Sequence, residues 1–433
     1  MNISNIKKTY YYLKRNGIKK TMGAVAERIC SPYFKDYQYV QPAKQELLRQ
    51  REESKKKKVL FSIVVPAYET KEEYLKQLID SMEEQTYPFW QLVIADGGKT
   101  KKVKELVDSY QETRISYVSL TKNQGISENT NQALKQAEGD YVGLLDHDDF
   151  LSPDALYEME KAISQGREQG VEYAFLYSDE DKCEEEGKRF YDPHFKTDFN
   201  LDLLLTNNYI CHFLMMKREL IQELGLRKEY DGAQDFDLVL RAVGWLLDKR
   251  KVPEEEIFHI PKVLYHWRCH RDSTASNPAS KKYAYEAGRS ALTEFCRKRG
   301  WKVKIHDLPH VGFYKVEYEN GIFFQRGDIA AIGGKEIKRG KIVESIYDEE
   351  GNSLYGGIPE GYSGYIHRAA LTQNAAQLDV KKWKLNPEVL KKYETFFSDI
   401  ASEEYEIEEE RKIICQFLRK EGYRLYWDPD FRI

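Results

Sequence analysis

Nowhere in its 433 residues does the chain hold the roughly 18–20 consecutive apolar side chains that a bilayer-crossing helix requires. Its first residues, Met1-Asn2-Ile3-Ser4, open no long apolar leader. A cytoplasmic setting is therefore expected. Cysteine is sparse: Cys30, Cys183, Cys211, Cys269, Cys296 and Cys415 make no C-x-x-C pair or Cys/His cluster, which argues against structural zinc and a disulfide framework. Charge of one sign is also lacking, since the formal net charge is only -4, so no nucleic-acid partner is expected. No G-x-x-x-x-G-K-[ST] occurs, and no G-x-G-x-x-G follows the first apolar strand; ATPase and dinucleotide chemistry lose their usual phosphate cradles.

What is present divides the chain in three. Residues 1–57 read as a helical N-terminal extension and linker, in which Tyr10 to Ile29 mixes apolar side chains with Lys14, Arg15, Lys19 and Lys20. Such a basic amphipathic helix suits peripheral contact with the inner face of a membrane, or simply a solvated face packed on the next domain. Residues 58–305 alternate short apolar runs with helical spacing. Strands are predicted at 61–66, 91–95, 115–118 and 141–145, and helices at 72–85, 103–110 and 127–137, with Ser127 as the last helix's N-cap. This order predicts an α/β fold: a doubly wound, mainly parallel sheet with helices on both faces. Residues 306–433 are expected to form a smaller α/β accessory domain.

Open sheets of this kind bind ligands at the carboxyl ends of their strands. Those ends carry Pro66-Ala67-Tyr68-Glu69, Asp96-Gly97-Gly98, Lys122-Asn123-Gln124-Gly125 and Asp146-His147-Asp148-Asp149. Three carboxylates within four residues repel unless a cation or strong donors hold them, and hard divalent ions take oxygen ligands. The plainer alternative is an acidic turn ahead of the helix near Ser152-Pro153-Asp154. Asp96 is placed to accept from a ligand N–H, with Gly97 and Gly98 permitting close approach; a plain Asp-Gly-Gly turn is its alternative. Further on, Gly232-Ala233-Gln234-Asp235-Phe236-Asp237 opens a helix, where either carboxylate suits the helix dipole. His266-Trp267-Arg268 supplies an imidazole, an aromatic plate and a guanidinium.

Taken in order, Val64-Val65-Pro66-Ala67-Tyr68-Glu69, Ala95-Asp96-Gly97, Asn123-Gln124-Gly125-Ile126-Ser127, Leu144-Leu145-Asp146-His147-Asp148-Asp149, Tyr177-Ser178-Asp179-Glu180-Asp181-Lys182 and Gly232-Ala233-Gln234-Asp235 resemble a family 2 glycosyltransferase of GT-A fold. The resemblance implies inverting transfer of a sugar from a nucleotide-diphosphate sugar, with UDP the commonest nucleotide, to a growing cell-surface polysaccharide or lipid-linked glycan. It implies that Pro66, Tyr68, Glu69, Asp96 and Gly97, with Lys122 and Gly125 nearby, hold the nucleotide. Asp146 and Asp148 match the family's Asp-x-Asp. Asp148 would ligate Mn²⁺ or Mg²⁺, with His266 as a further metal contact and Arg268 adding charge at the diphosphate. Asp235 matches the general base. Asp179, Glu180, Trp267 and Tyr209 are assigned to the acceptor side. Where the family often has Glu-Asp at the base motif, this chain has Gln234-Asp235, which removes one negative charge beside the base.

Segments 333–335, 342–351, 362–368 and 417–425 resemble a degenerate second glycosyltransferase unit. No Asp-x-Asp is expected there at the tip of an apolar strand, and the unit is read as positioning a ligand without catalysing. Two other readings of the chain are a catalytically silent nucleotide-sugar or glycan binding module, and a nucleotidyltransferase. The second is disfavoured by the absence of a basic, glycine-rich loop after the first strand.

Overall fold

The computed structural model describes residues 3–30, 37–250, 252–270, 282–343 and 345–432, with side chains from residue 9 onward. By compactness it divides into two units, one built from 1–8, 34–199 and 209–292, the other from 9–33, 200–208 and 293–433.

The first unit is organised on a nine-stranded sheet of β1 (Phe61–Ala67), β2 (Trp90–Asp96), β3 (Ile115–Ser119), β4 (Tyr141–Leu144), β5 (Phe150–Leu151), β6 (Phe175–Cys183), β7 (Phe190–His194), β8 (Leu214–Lys217) and β9 (Ile257–Arg268). Their order is β3-β2-β1-β4-β8-β6-β9-β5, with β7 paired to β6. Every residue of β1 is buried, as its largely apolar run requires when helices cover both faces of a sheet. The helix Glu72–Glu83 turns Tyr74, Leu75, Leu78, Ile79 and Met82 inward, one stripe at helical spacing.

Pairing from β3 to β4 is parallel throughout, matching the alternation of strands and helices in the sequence. Beyond β4 the sheet becomes mixed: β8 runs antiparallel to both β4 and β6, while β6 and β9 are parallel. The link from β6 to β7 is a short turn with Gly187 N–H donating to the Glu184 carbonyl, too short for a parallel crossover, so that pair is antiparallel. One capping expectation is corrected. Ser127 lies inside the helix Ile126–Leu134, whose N-cap is Gly125 at φ 102°. The Asp231 carboxylate accepts from Ser127 N–H at 3.2 Å and satisfies an end group there.

The helix Ile3–Cys30, whose residues from 9 onward belong to the second unit, bends at Gly17, which takes φ 77°, a conformation glycine reaches without steric cost. Past the bend, Glu27 accepts from the main-chain N–H groups of Ser363 and Gly364 at 2.9 and 2.7 Å. A four-stranded sheet orders Gln373–Ala375, Arg424–Asp428, Ile329–Gly334 and Trp383–Leu385, the middle two parallel. Leu425 and Trp427 are buried against Cys415 and Leu418 of the helix Ile407–Lys420. Strand Arg424–Asp428 corrects the sequence reading of this region, because its apolar run ends on Asp428-Pro429-Asp430. Among the described residues of both units, no helix is long and apolar enough to cross a membrane.

Candidate active site

The strand ends of the first unit bring most of the expected residues to one rim. Asp96 is 2% exposed; its carboxylate accepts from Gly98 N–H at 2.8 Å and from the Tyr117 hydroxyl at 3.0 Å. These donors fix its direction at the tip of β2. Glu69 accepts from Lys99 N–H at 2.7 Å, tying the turn after β1 to the turn after β2, while Tyr68 is exposed. A side chain at position 97 would press on Asn123 and Asn129. Asn123 accepts from Gly125 N–H and from the Asn129 amide, which shapes the third turn. Lys122 stands exposed on that turn. A small pocket beneath this rim is lined by Val64, Pro66, Ile126, Asp146, Gln234 and Asp235. It joins the first strand, the acidic turn and the candidate base.

Asp146, Asp148 and Asp149 each offer an oxygen within 4.8 Å of the others. Burial, then the charges of Asp148 and Asp146, push Asp149 well above the usual carboxylate range. Its two oxygens accept from the Tyr265 hydroxyl and from Arg268 N–H at 2.7 Å, so it braces the turn. Desolvation works against ionisation of Asp148, yet a 2.8 Å bond to His270 Nε2 and the nearby His147 outweigh it and lower its pKa. Crowded carboxylate oxygens held this way fit a hard divalent cation, with Asp146 and Asp148 as its residues and Asp149 behind them.

Asp235 opens the helix Gln234–Lys249. Desolvation and then the charge of Asp146 raise its pKa to about 6, with His212 opposing. Gln234 donates to the Asp235 carboxylate at 3.0 Å and accepts from Gly232 N–H at 2.8 Å. The neutral amide therefore both lightens the local charge and orients the carboxylate. Facing this group is His212, whose Nδ1 lies 3.1 Å from Glu180 and whose ring stacks on Tyr265 at 4.8 Å. Desolvation opposes charge on His212, but Glu180, then Asp146 and Asp235, raise its pKa to about 9. Lys196 adds a buried ammonium that donates to the Ile210 carbonyl at 2.8 Å and to the His212 carbonyl.

Several expected residues stand elsewhere. Arg268 is fully buried, and its guanidinium donates to the carbonyls of Asp148 and Glu185 and to Gln77, each at 2.6 Å. It holds the acidic turn in shape and does not present its charge to a diphosphate. His266 is buried, bonded to Asp181 at 2.7 Å and packed on Tyr39, Phe150 and Phe190. The imidazole beside Asp148 is that of His270. Asp179 and Glu180, successive on β6, take different partners. Asp179 meets His259 and Lys196 N–H at 2.8 Å, whereas Glu180 meets His212. Tyr209 is buried edge-on to Tyr177. Trp267 is half-buried, with Lys182 over its ring and His212 5.9 Å away. His212, His270, Lys196 and Asp231 escaped the sequence reading as individual residues.

The sequence profile of Glycosyl transferase family 2 matches residues 62–225. An uncharacterised protein of Sinorhizobium fredii, y4gI, is 39% identical over 54% of this chain, which spans 25% of that protein. The O-antigen biosynthesis protein RfbC of Myxococcus xanthus is 32% identical over 60% of this chain and 20% of its own length. The chain thus spans a quarter or less of these two relatives. Among solved structures, S. aureus TarS 1-349 in complex with UDP aligns at TM-score 0.42 and 20% identity, covering 55% of this chain and 65% of that one.

Proposed function

We propose that the chain, whose residues 62–225 match the Glycosyl transferase family 2 profile, transfers a sugar, with inversion, from a nucleotide-diphosphate sugar to a hydroxyl of a polysaccharide or lipid-linked glycan. The observation that carries this reading is the pocket where Pro66, Asp146 and Asp235 meet. It puts the nucleotide rim, the acidic turn and a base side by side.

The chemistry follows from these positions. The acceptor oxygen bonds to the sugar's anomeric carbon, the bond from that carbon to the diphosphate breaks, and the acceptor proton passes to Asp235. A carboxylate whose pKa is lifted to about 6 is a better proton acceptor than an ordinary aspartate and stays ionised at neutral pH. Asp146 and Asp148 would hold Mn²⁺ or Mg²⁺, which as a Lewis acid would supply charge to the leaving diphosphate. Asp96 and Glu69 bind base and ribose, and UDP is the nucleotide we assign. Trp267 and Glu180 border the acceptor, the first by ring stacking and the second by setting His212. RfbC, by its name a protein of O-antigen biosynthesis, supports an envelope glycan as the product. Residues 306–433 bind or position a ligand and do not catalyse.

A panel of nucleotide sugars, read by Mn²⁺-dependent thermal stabilisation of the wild type and Asp148→Ala, tests the donor site, because a ligand bound only to the folded state raises apparent stability. One donor stabilising the wild type and losing its effect in the variant is the expected result. A null response to every nucleotide sugar would sink the reading.

A further inference from the structure

Beyond the bend at Gly17, the helix ending at Cys30 packs one face and leaves the opposite face uncovered. Glu27, on the packed face, reaches Ser363 and Gly364, and Thr21 is buried at the edge of that face. On the other side Ile18, Met22, Val25 and Ile29 are 70%, 68%, 41% and 65% exposed. Their spacing of four, three and four residues places them in one stripe along the helix. Four large apolar side chains in line, exposed to water, are unlike the isolated surface hydrophobics that need no explanation.

The charges around the stripe are of one sign. Residues 9–30 contain Lys14, Arg15, Lys19, Lys20 and Arg28 against one acid, Glu27, and that acid faces inward. Lys14, Lys19, Lys20 and Arg28 are all exposed. At 100° per residue, Lys19 and Arg28 fall on opposite flanks of the stripe. An apolar strip bordered by cations and lacking exposed acids complements a surface with an apolar interior and anionic headgroups.

We propose that the stripe Ile18, Met22, Val25 and Ile29, flanked by Lys19 and Arg28, seats this helix in the interface of an anionic lipid bilayer. The helix lies in the plane of the membrane with the apolar residues among the acyl chains and the cations at the headgroups. This inference does not depend on the catalytic reading, since vesicle binding requires no donor or acceptor.

The test is cosedimentation of the full chain with phosphatidylcholine–phosphatidylglycerol vesicles and with pure phosphatidylcholine. Binding to the anionic vesicles is expected, weakened by salt, and abolished by Ile18→Ser/Met22→Ser/Ile29→Ser. Lys19→Glu/Arg28→Glu should lose at least about thirtyfold, since each basic residue near such a surface contributes a factor of roughly five. Thermal unfolding checks that the variants fold; should the triple variant unfold early, the charge-reversal pair decides. Wild type that stays in the supernatant, or variants that bind undiminished, overturns the proposal. So does a wild-type dimer in light scattering that the triple variant converts to monomer without any vesicle binding, because a second copy then covers the stripe.

Discussion

Each unit ends an apolar strand on Asp-x-Asp, and the two copies of the motif have opposite surroundings. After β4, Asp146 and Asp148 stand with a third carboxylate, Asp149, and with Asp235 close enough to feel Asp146. After Arg424–Asp428, Asp428 and Asp430 share one lysine, Lys315, at 3.0 and 2.5 Å. Another buried charge of the second unit, Arg326, is matched in the same way. Arg326, fully buried, pairs with Asp202 at 2.8 Å and with Asp328 at 2.7 Å. A motif of two aspartates is thus no measure of function by itself; its charge balance is. The first unit gathers carboxylates at its rim, and in the second Lys315 and Arg326 offset the aspartates beside them.

The largest effects test the charge-rich side. Asp235→Asn should lower the transfer rate by about 10²- to 10⁴-fold, the usual contribution of a positioned base, while leaving thermal stability unchanged or raised, since a strained charge is removed. In the second unit the same class of change should act on folding. Arg326→Ala leaves two carboxylates without their buried partner and should cost about 3–5 kcal/mol in denaturant unfolding. An undiminished midpoint would erase the contrast drawn between the units.

A pH scan sharpens it further. His310 and His367 stack with ring centroids 3.4 Å apart. Desolvation lowers their pKa values to about 4 and about 3, with Arg15 also opposing charge on His310. Folded histidines that resist protonation stabilise above the unfolded value of about 6.5 and lose that stabilisation as pH falls from there toward 4. Unfolding midpoints should therefore drop over this window, and His367→Leu should flatten the drop. Activity should follow another limb, with kcat/KM rising through about pH 6 as Asp235 ionises. The smallest effect is expected at Lys315→Met, roughly 1 kcal/mol for a partly exposed pair. Mn²⁺ that stabilised this variant and not the wild type would show the lysine standing in for a cation.

Much of the first unit was legible because buried parallel strands are written as apolar runs, and their ends as turns of aspartate and glycine. The four strands from Phe61 to Leu144 and the rim turns after them follow directly from that pattern. What the sequence could not settle was the direction of neighbouring side chains. His266 and His270 are four residues apart, but only one meets Asp148. The deciding fact is that β9 carries His266 and Arg268 inward before the chain leaves the sheet at Cys269. Asp179 and Glu180 are neighbours in sequence, yet the first meets His259 and the second His212. Arg268 was assigned by charge, yet its planar fork matches three acceptors already present in the fold. The Asp428-Pro429-Asp430 tip was overlooked because Arg424-Leu425-Tyr426-Trp427 is short and opens on a charge.

The Asp231 carboxylate has a meaning for anyone recombining such enzymes. It caps the helix that follows the Asn123–Gly125 turn, and the backbone at Gly125 leaves no room for a side chain against it. Four residues later comes Asp235. A chimera that imports the turn at 123–127 from a relative without the loop at 231–235 would mate parts with mismatched fittings. The two segments form a single exchangeable module despite lying about a hundred residues apart.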